Sequence, residues 1–283
     1  MEKLSFIKID KKNEFLVNDF IQEAFFVQKH IDWLSIDEIL QSEGIAAAIY
    51  DHDKVEAFIS LEQKSDKLFW IHSFLVNNTE NASHYLKFFI ESAFQISFLP
   101  CQSKIFAIPL SLWFENALWD NNFHIFDSLV SLSCEIERNK IIQQNNLFGK
   151  ISPLEFCELD ETYEICEKAF PKLWQLSKLN FSNAAINSKI SLKAVNQENQ
   201  ICGYLLSQTY KSDSIHISRL AVEPNSQFHG IGMKLLSEFI KNAFKEGFSR
   251  VSVNTQKSNA GAINLYKKIG FISDLDESFV YQL

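Results

Sequence analysis

Leu220-Ala221-Val222-Glu223-Pro224-Asn225-Ser226-Gln227-Phe228-His229-Gly230-Ile231-Gly232-Met233-Lys234-Leu235-Leu236 passes from an apolar strand pattern through a polar turn into a helix. Gly230 and Gly232 remove side chains where an anion would approach the backbone. The helix that starts there presents unpaired N–H groups and the positive end of its dipole. The stretch therefore reads as a pyrophosphate cradle. A Walker A loop ends in Gly-Lys-Ser/Thr, which Gly232-Met233-Lys234 does not supply, and a dinucleotide fingerprint needs a third small residue where Leu235 stands.

Working outward, Leu235, Leu236, Phe239, Ile240, Ala243 and Phe244 recur at helical spacing and stop at Gly247. Before the cradle, the pattern predicts strands at 151–156, 191–196, 201–210 and 215–222, with a helical region at 160–177. After it come a strand at 250–254, a helix at 259–269 and a last strand near 278–282. This order gives a mixed sheet with helices on its faces, an α/β (α+β) arrangement.

The cradle resembles the central motif of the GNAT superfamily of N-acetyltransferases, Q/R-x-x-G-x-G/A, in Gln227, Gly230 and Gly232, preceded by the family-like Val222-x-Pro224. A second stretch, Asn259-Ala260-Gly261-Ala262-Ile263-Asn264-Leu265-Tyr266-Lys267-Lys268-Ile269-Gly270-Phe271, resembles the family signature N-x-x-A-x-x-L-Y-x-x-x-G-F. The resemblance covers roughly 151–283. It implies that backbone groups of Leu220, Ala221 and Val222 hold the acetyl carbonyl and pantetheine arm, where their strand splays from the one ending at Asn254. It also implies that the amides of Gln227, Phe228, His229, Gly230, Ile231, Gly232 and Met233 bind the pyrophosphate, that Asn259 bonds the coenzyme and that Ala262 leaves room beside it. Phe228 departs from the family's usual glycine or small polar residue.

Tyr266 is the expected general acid, since a phenol with a reference pKa near 10 stays protonated and can donate to a departing thiolate. The base is less determined. His216 and Ser218 alternate with Leu220 on what the strand period makes one face, which makes His216 the leading candidate, ahead of Glu223 and Asn254.

Self-comparison at an offset of 146 aligns 55–61 with 201–207, 68–76 with 214–222 and 103–105 with 249–251, while Ala24-Phe25 and Ala169-Phe170 fit at 145. A duplication is expected: two tandem GNAT-like domains, each a mixed, mostly antiparallel sheet flanked by helices. The boundaries are a first domain at 1–137, a linker at 138–150 and a catalytic domain at 151–283. The offset sets Asn81, His84 and Leu86 against Gln227, Gly230 and Gly232, so the first half is expected to lack the coenzyme chemistry. Trp33, Trp70, Trp113 and Trp119 read as core.

The 283 residues suit two such units, and 46% hydrophobic with 22% charged residues is ordinary for a globular chain. A net charge of −8 argues against a nucleic-acid partner. No apolar run approaches a membrane span or a leader peptide, so a cytoplasmic protein is expected, although leaderless secretion would leave no such trace. The five cysteines form no CxxC pair and read as buried small hydrophobes, without disulfide or metal. The expected activity is transfer of an acetyl group from acetyl-CoA to a primary amine of a small molecule, protein or peptide, by direct attack in a ternary complex. The alternative is a non-catalytic acetyl-CoA-binding or interaction module.

Overall fold

A computed structural model of the protein describes residues 4–29, 44–136 and 150–283. The chain divides into two compact units, 1–128 with 278–283, and 129–277. These limits differ from a division at 138–150, because hydrogen bonding rather than position in the chain assigns each strand. Residues 129–135 pair within the second unit and residues 281–282 within the first. Most of the expected linker, 138–149, and Trp33 lie outside the described residues.

In the first unit, β1 (Leu4–Ile9), β3 (Gly44–Asp51), β4 (Lys54–Ser65) and β5 (Leu68–Val76) form an antiparallel run, and β2 (Phe26–Lys29) also pairs with β5. β6 (Lys104–Ala107) joins β5 in parallel. Helix α1 (Asn18–Glu23) covers one face. The opposite face carries α2 (Ala82–Gln95) and α3 (Leu112–Asp120), which close a core rich in Phe69, Phe74, Phe89 and Phe114. Trp70 is buried and Trp113 packs against the core, but Trp119 is 51% exposed, against expectation.

In the second unit, β7 (His124–Glu135, from Leu129 on) pairs with β12 (Arg250–Gln256), followed outward by β11 (Ser214–Val222), β10 (Ile201–Lys211), β9 (Ser191–Val195) and β8 (Lys150–Pro153). Every pairing in this run is antiparallel except β11 with β12. Helices α4 (Leu159–Ala169) and α5 (Lys178–Ile186) cover one face around Phe181, Tyr204 and Ala221. Helices α6 (Ile231–Lys245) and α7 (Ala260–Ile269) cover the other. Leu235, Leu236, Phe239 and Ala243 of α6 are fully buried, and each large side chain among them stabilises by about 1.5–3 kcal/mol. The last strand, β13 (Ile272–Gln282), begins three residues after α7.

The two units repeat one another in register as well as in order. Ala57 opposes Val76 as Gly203 opposes Val222, and Leu68 opposes Lys104 as Ser214 opposes Arg250. The β4–β5 pair slips between Ser60 and Leu61 and again between Gln63 and Ser65; the β10–β11 pair slips between Leu206 and Ser207 and between Thr209 and Lys211, both 146 residues on. A bulge is a built irregularity that bends a strand and re-aims side chains, so matching bulges are stronger evidence of a shared plan than matching apolar residues.

Candidate acyl-donor site

β11 and β12 hold their parallel pairing only from Ser214 opposite Arg250 to Ile217 opposite Val253. Beyond that the two strands part, although β11 continues to Val222 and β12 to Gln256. Backbone groups freed at such a fork must be satisfied by something else. A cleft of about 420 Å³ opens here, lined by Leu220, Ala221, Val222 and Gln227 on one side and by Gln256, Ser258 and Asn259 on the other.

Past the end of β11, a 3-10 turn at Pro224–Ser226 leads into the cradle. Gly230 is the N-cap of α6 at φ 80°, a left-handed conformation that glycine enters without strain. Lys234 is the first amide in this helix to reach a backbone carbonyl, donating to Gly230 O at 3.0 Å, so the N–H groups of Ile231, Gly232 and Met233 sit at the open helix end. Gly232 has a different reason to be small: a Cβ there would lie 3.2 Å from Leu265 Cδ2 and 3.7 Å from Val222 Cγ2. Its missing side chain lets α6 close on α7 and β11. The Gln227 side chain donates to Val222 O at 3.1 Å and ties the loop back to the strand end. Phe228 holds φ 65° and is fully exposed, its ring packed against no core residue.

Asn259 is the N-cap of α7, its Oδ1 accepting from Ala262 N at 3.1 Å, which leaves its Nδ2 to bond a ligand in the cleft. Tyr266 is 4% exposed and packs on Phe271 with ring centroids 5.4 Å apart. Burial raises its phenol well above 10. It is protonated throughout the physiological range.

His216 does not share a face with Leu220. The slip opposite Leu206 and Ser207 inserts Ser218 as an extra residue and reverses the alternation. Ile215, Ile217, Leu220 and Val222 all face α6 and α7, while Ala221 faces α4 and α5. His216 lines a second, polar cavity of about 720 Å³ in the same unit, together with Ser252 and Asn254. Its Nδ1 is 2.9 Å from Ser252 Oγ, and burial lowers its pKa below 6.5. Ser131 Oγ donates to Asn254 Oδ1 at 2.6 Å.

The helix expected to run to 177 ends at Ala169, and the chain then turns through a short 3-10 segment at Lys172–Trp174, since Pro171 cannot continue it. Phe170, Pro171 and Trp174 border the cleft. Arg219, displaced by the bulge, donates to Trp174 O at 3.1 Å and stacks over the Phe170 ring at 5.0 Å, which fixes that wall. Of the cysteines, Cys166 and Cys202 are buried as expected, but Cys101 and Cys157 are exposed, and all five are free thiols. Among the described residues no cluster of His, Cys, Asp and Glu could hold a metal ion, and no helix is long and apolar enough to cross a membrane.

Among the described residues the first unit carries no such cradle. α2 already begins at Ala82, three residues ahead of the position matching Ile231, so the counterpart of the loop is wound into helix. Leu86, at the Gly232 position, is fully buried in the core.

The Acetyltransferase (GNAT) family model matches residues 159–271. Over 121 residues the chain is 28% identical to the [Ribosomal protein bS18]-alanine N-acetyltransferase of Escherichia coli (strain K12), covering 43% of this chain and 79% of that protein. Among solved structures, a conserved protein of unknown function from Enterococcus faecalis V583, a probable N-acyltransferase, is similar at a TM-score of 0.72 and 9% identity over 99% of this chain and 72% of that one. A tandem GNAT protein from the clavulanic acid biosynthesis pathway is similar at 0.63 and 9% identity, over 99% and 98%. These two likenesses concern the fold.

Proposed function

The chain carries a GNAT-family acetyltransferase domain over residues 159–271, and from that premise we propose that the second unit transfers an acetyl group from acetyl-CoA to a primary amine by direct attack in a ternary complex. The observation that carries this reading is the fork between β11 and β12, which opens beside the bare amides at the start of α6. Those amides offer the donor's pyrophosphate a preformed set of N–H groups at a positive helix end. Backbone groups of Leu220, Ala221 and Val222 along the fork are the partners for the pantetheine arm and for the carbonyl to be polarised. Asn259 Nδ2 closes the opposite side.

When the amine attacks, a C–N bond forms and the C–S bond breaks. Tyr266 is the group in this reading that gives the sulfur a proton. His216, neutral through burial and fixed by Ser252, takes the proton from the amine on the side of the polar cavity. The scaffold contributes proximity and a polarised carbonyl. The first unit, with the counterpart of the cradle wound into helix, does not bind coenzyme in this reading. Cytoplasmic action is part of this proposal, and so is an acceptor that is either a small molecule or a protein amine.

The test is thermal denaturation of the full chain with acetyl-CoA, followed by a thiol-release assay over a panel of amines. Donor at 100 times its dissociation constant adds about 2.7 kcal/mol to the stability of the unit that binds it. No shift at high concentration refutes the reading; a shift without turnover on any amine favours a non-catalytic acetyl-CoA-binding module.

A further inference from the structure

The fork has a counterpart in the first unit, and there the chain itself fills it. β4 takes one edge of β5 over its whole length. On the other edge β6 pairs in parallel only with residues 68–70, and residues 73–76 pair antiparallel with β2. Just past the end of β6, the Gln28 side chain donates to Ile108 O at 3.1 Å and accepts from Leu110 N at 2.9 Å. β2 is thus tied to both sides of the parting strands, in the place where the second unit has its cleft.

The offset that sets Ala24-Phe25 against Ala169-Phe170 makes 171–174 the equivalent of β2. Lys29 faces Ser73 in the first unit, and the equivalent pair in the second is Trp174 with Arg219. The two units treat this pair differently. Ser73 is short, its hydroxyl 2.9 Å from His72 Nδ1, and the backbones close into a ladder. Arg219 spans the gap with its guanidinium, donating to Trp174 O at 3.1 Å and stacking on Phe170. The segment stays a turn at the border of the cleft, with Trp174 N donating to Pro171 O at 2.8 Å. Pro171, at the position of Phe26, has no N–H to give to a ladder.

We propose that Arg219 is a positioning residue that keeps the donor cleft open by bracing the 171–174 segment off the free edge of β11. Without the brace the segment moves onto that edge as β2 does on β5, and its backbone takes the hydrogen-bonding groups of 220–222 that the donor needs. The proposal rests on the acetyl-transfer reading for what the cleft accepts. A residue that sets the population of the open state acts on the donor's apparent dissociation constant and KM, and leaves kcat at saturating donor in place.

The experiment is calorimetric titration of acetyl-CoA into the full chain, with amide hydrogen exchange of the donor-free protein. It compares wild type, Arg219→Ser, Arg219→Lys and the double variant Arg219→Ser with Pro171→Phe, which puts the first unit's residues at both positions. Arg219→Ser should weaken acetyl-CoA at least about tenfold, an open fraction of about one in ten, and the double variant should weaken it further. Arg219→Lys keeps a donor for Trp174 O and should recover most of the affinity. Without donor, the amides of 219–222 should exchange more slowly in Arg219→Ser than in wild type, which a loss of packing alone does not produce. An unchanged dissociation constant overturns the proposal, and so does a weakened one with exchange at 219–222 unchanged or with faster exchange throughout the second unit. If the wild-type chain binds no acetyl-CoA the acetyl-transfer reading fails, while the exchange comparison, which needs no donor, still decides whether Arg219 braces the segment.

Discussion

Ile217 and Leu220 point to the same side of β11 although they are three positions apart, because Ser218 is bulged out between them. The bulge keeps apolar residues on α6 along the whole strand, and it sends Arg219 to the opposite side, where it clamps Phe170 and Trp174. It also places His216 in the polar cavity instead of beside Leu220.

His216→Gln should therefore leave acetyl-CoA affinity unchanged and lower kcat by about 10²–10⁴, the usual worth of a positioned base. Burial lowers the His216 pKa, so the wild-type rate should be level from pH 8 down to 7 and fall only as pH drops through a value below 6.5. A pH–rate profile checks this. An acid limb centred above 6.5, or full activity in the variant, contradicts it.

Tyr266→Phe keeps the ring that packs on Phe271 and removes only the hydroxyl. Donor binding by calorimetry should be spared, and kcat should fall by about 10²-fold. Because burial raises the phenol well above 10, no alkaline limb from this residue should appear below pH 10. Wild-type turnover in the variant would remove Tyr266 from the mechanism.

Gly203 carries the close approach of β10 to the strand holding the fork. A Cβ there would meet Ala221 O at 2.9 Å and Leu235 Cδ1 at 3.2 Å. Gly203→Ala should destabilise the second unit by about 1–3 kcal/mol through overpacking and weaken acetyl-CoA binding with it. Denaturant midpoints of the two proteins decide the matter; an unchanged midpoint means that the strand can move aside.

The first unit has its own pH signature. His72 is 1% exposed, with Nδ1 2.9 Å from Ser73 Oγ and no partner for Nε2 among the described residues, and burial, with Lys29 and Lys64 nearby, lowers its pKa to about 4. Unfolding restores a value near 6.5 and takes up a proton. The contribution to stability is thus complete above pH 6.5 and is lost as pH falls from there towards 4. The loss at pH 5 relative to pH 8 should be about 2 kcal/mol, and His72→Gln should flatten that dependence. Denaturation of both proteins at the two pH values measures it, and equal slopes would contradict it.

Much of this was legible in the residues. The cradle, the strand before it and the helix after it combine period, glycine placement and capping in one stretch, and β9 to β12 and α7 lie within a few residues of their expected limits. The repeat was visible because its offset is constant. α5 was not expected: Asn180, Ser182 and Asn183 break its apolar stripe, and its packing on the sheet around Phe181 forms it. The bulge at Ser218 was invisible, since strict alternation is the only rule that a strand pattern offers, and every conclusion about which face His216 occupies depended on it. The exchange of 129–135 and 278–283 between units was equally hidden, because pairing partners far apart in the chain leave no local signal.

Isothermal titration of acetyl-CoA into the full chain tests the central claim most directly. With an open cradle at α6 and a counterpart wound into α2, the structure predicts saturable binding of one mole of acetyl-CoA per mole of chain. Two moles bound would mean that the first unit also holds coenzyme, and no binding would mean that the fork and its helix end are not a donor site.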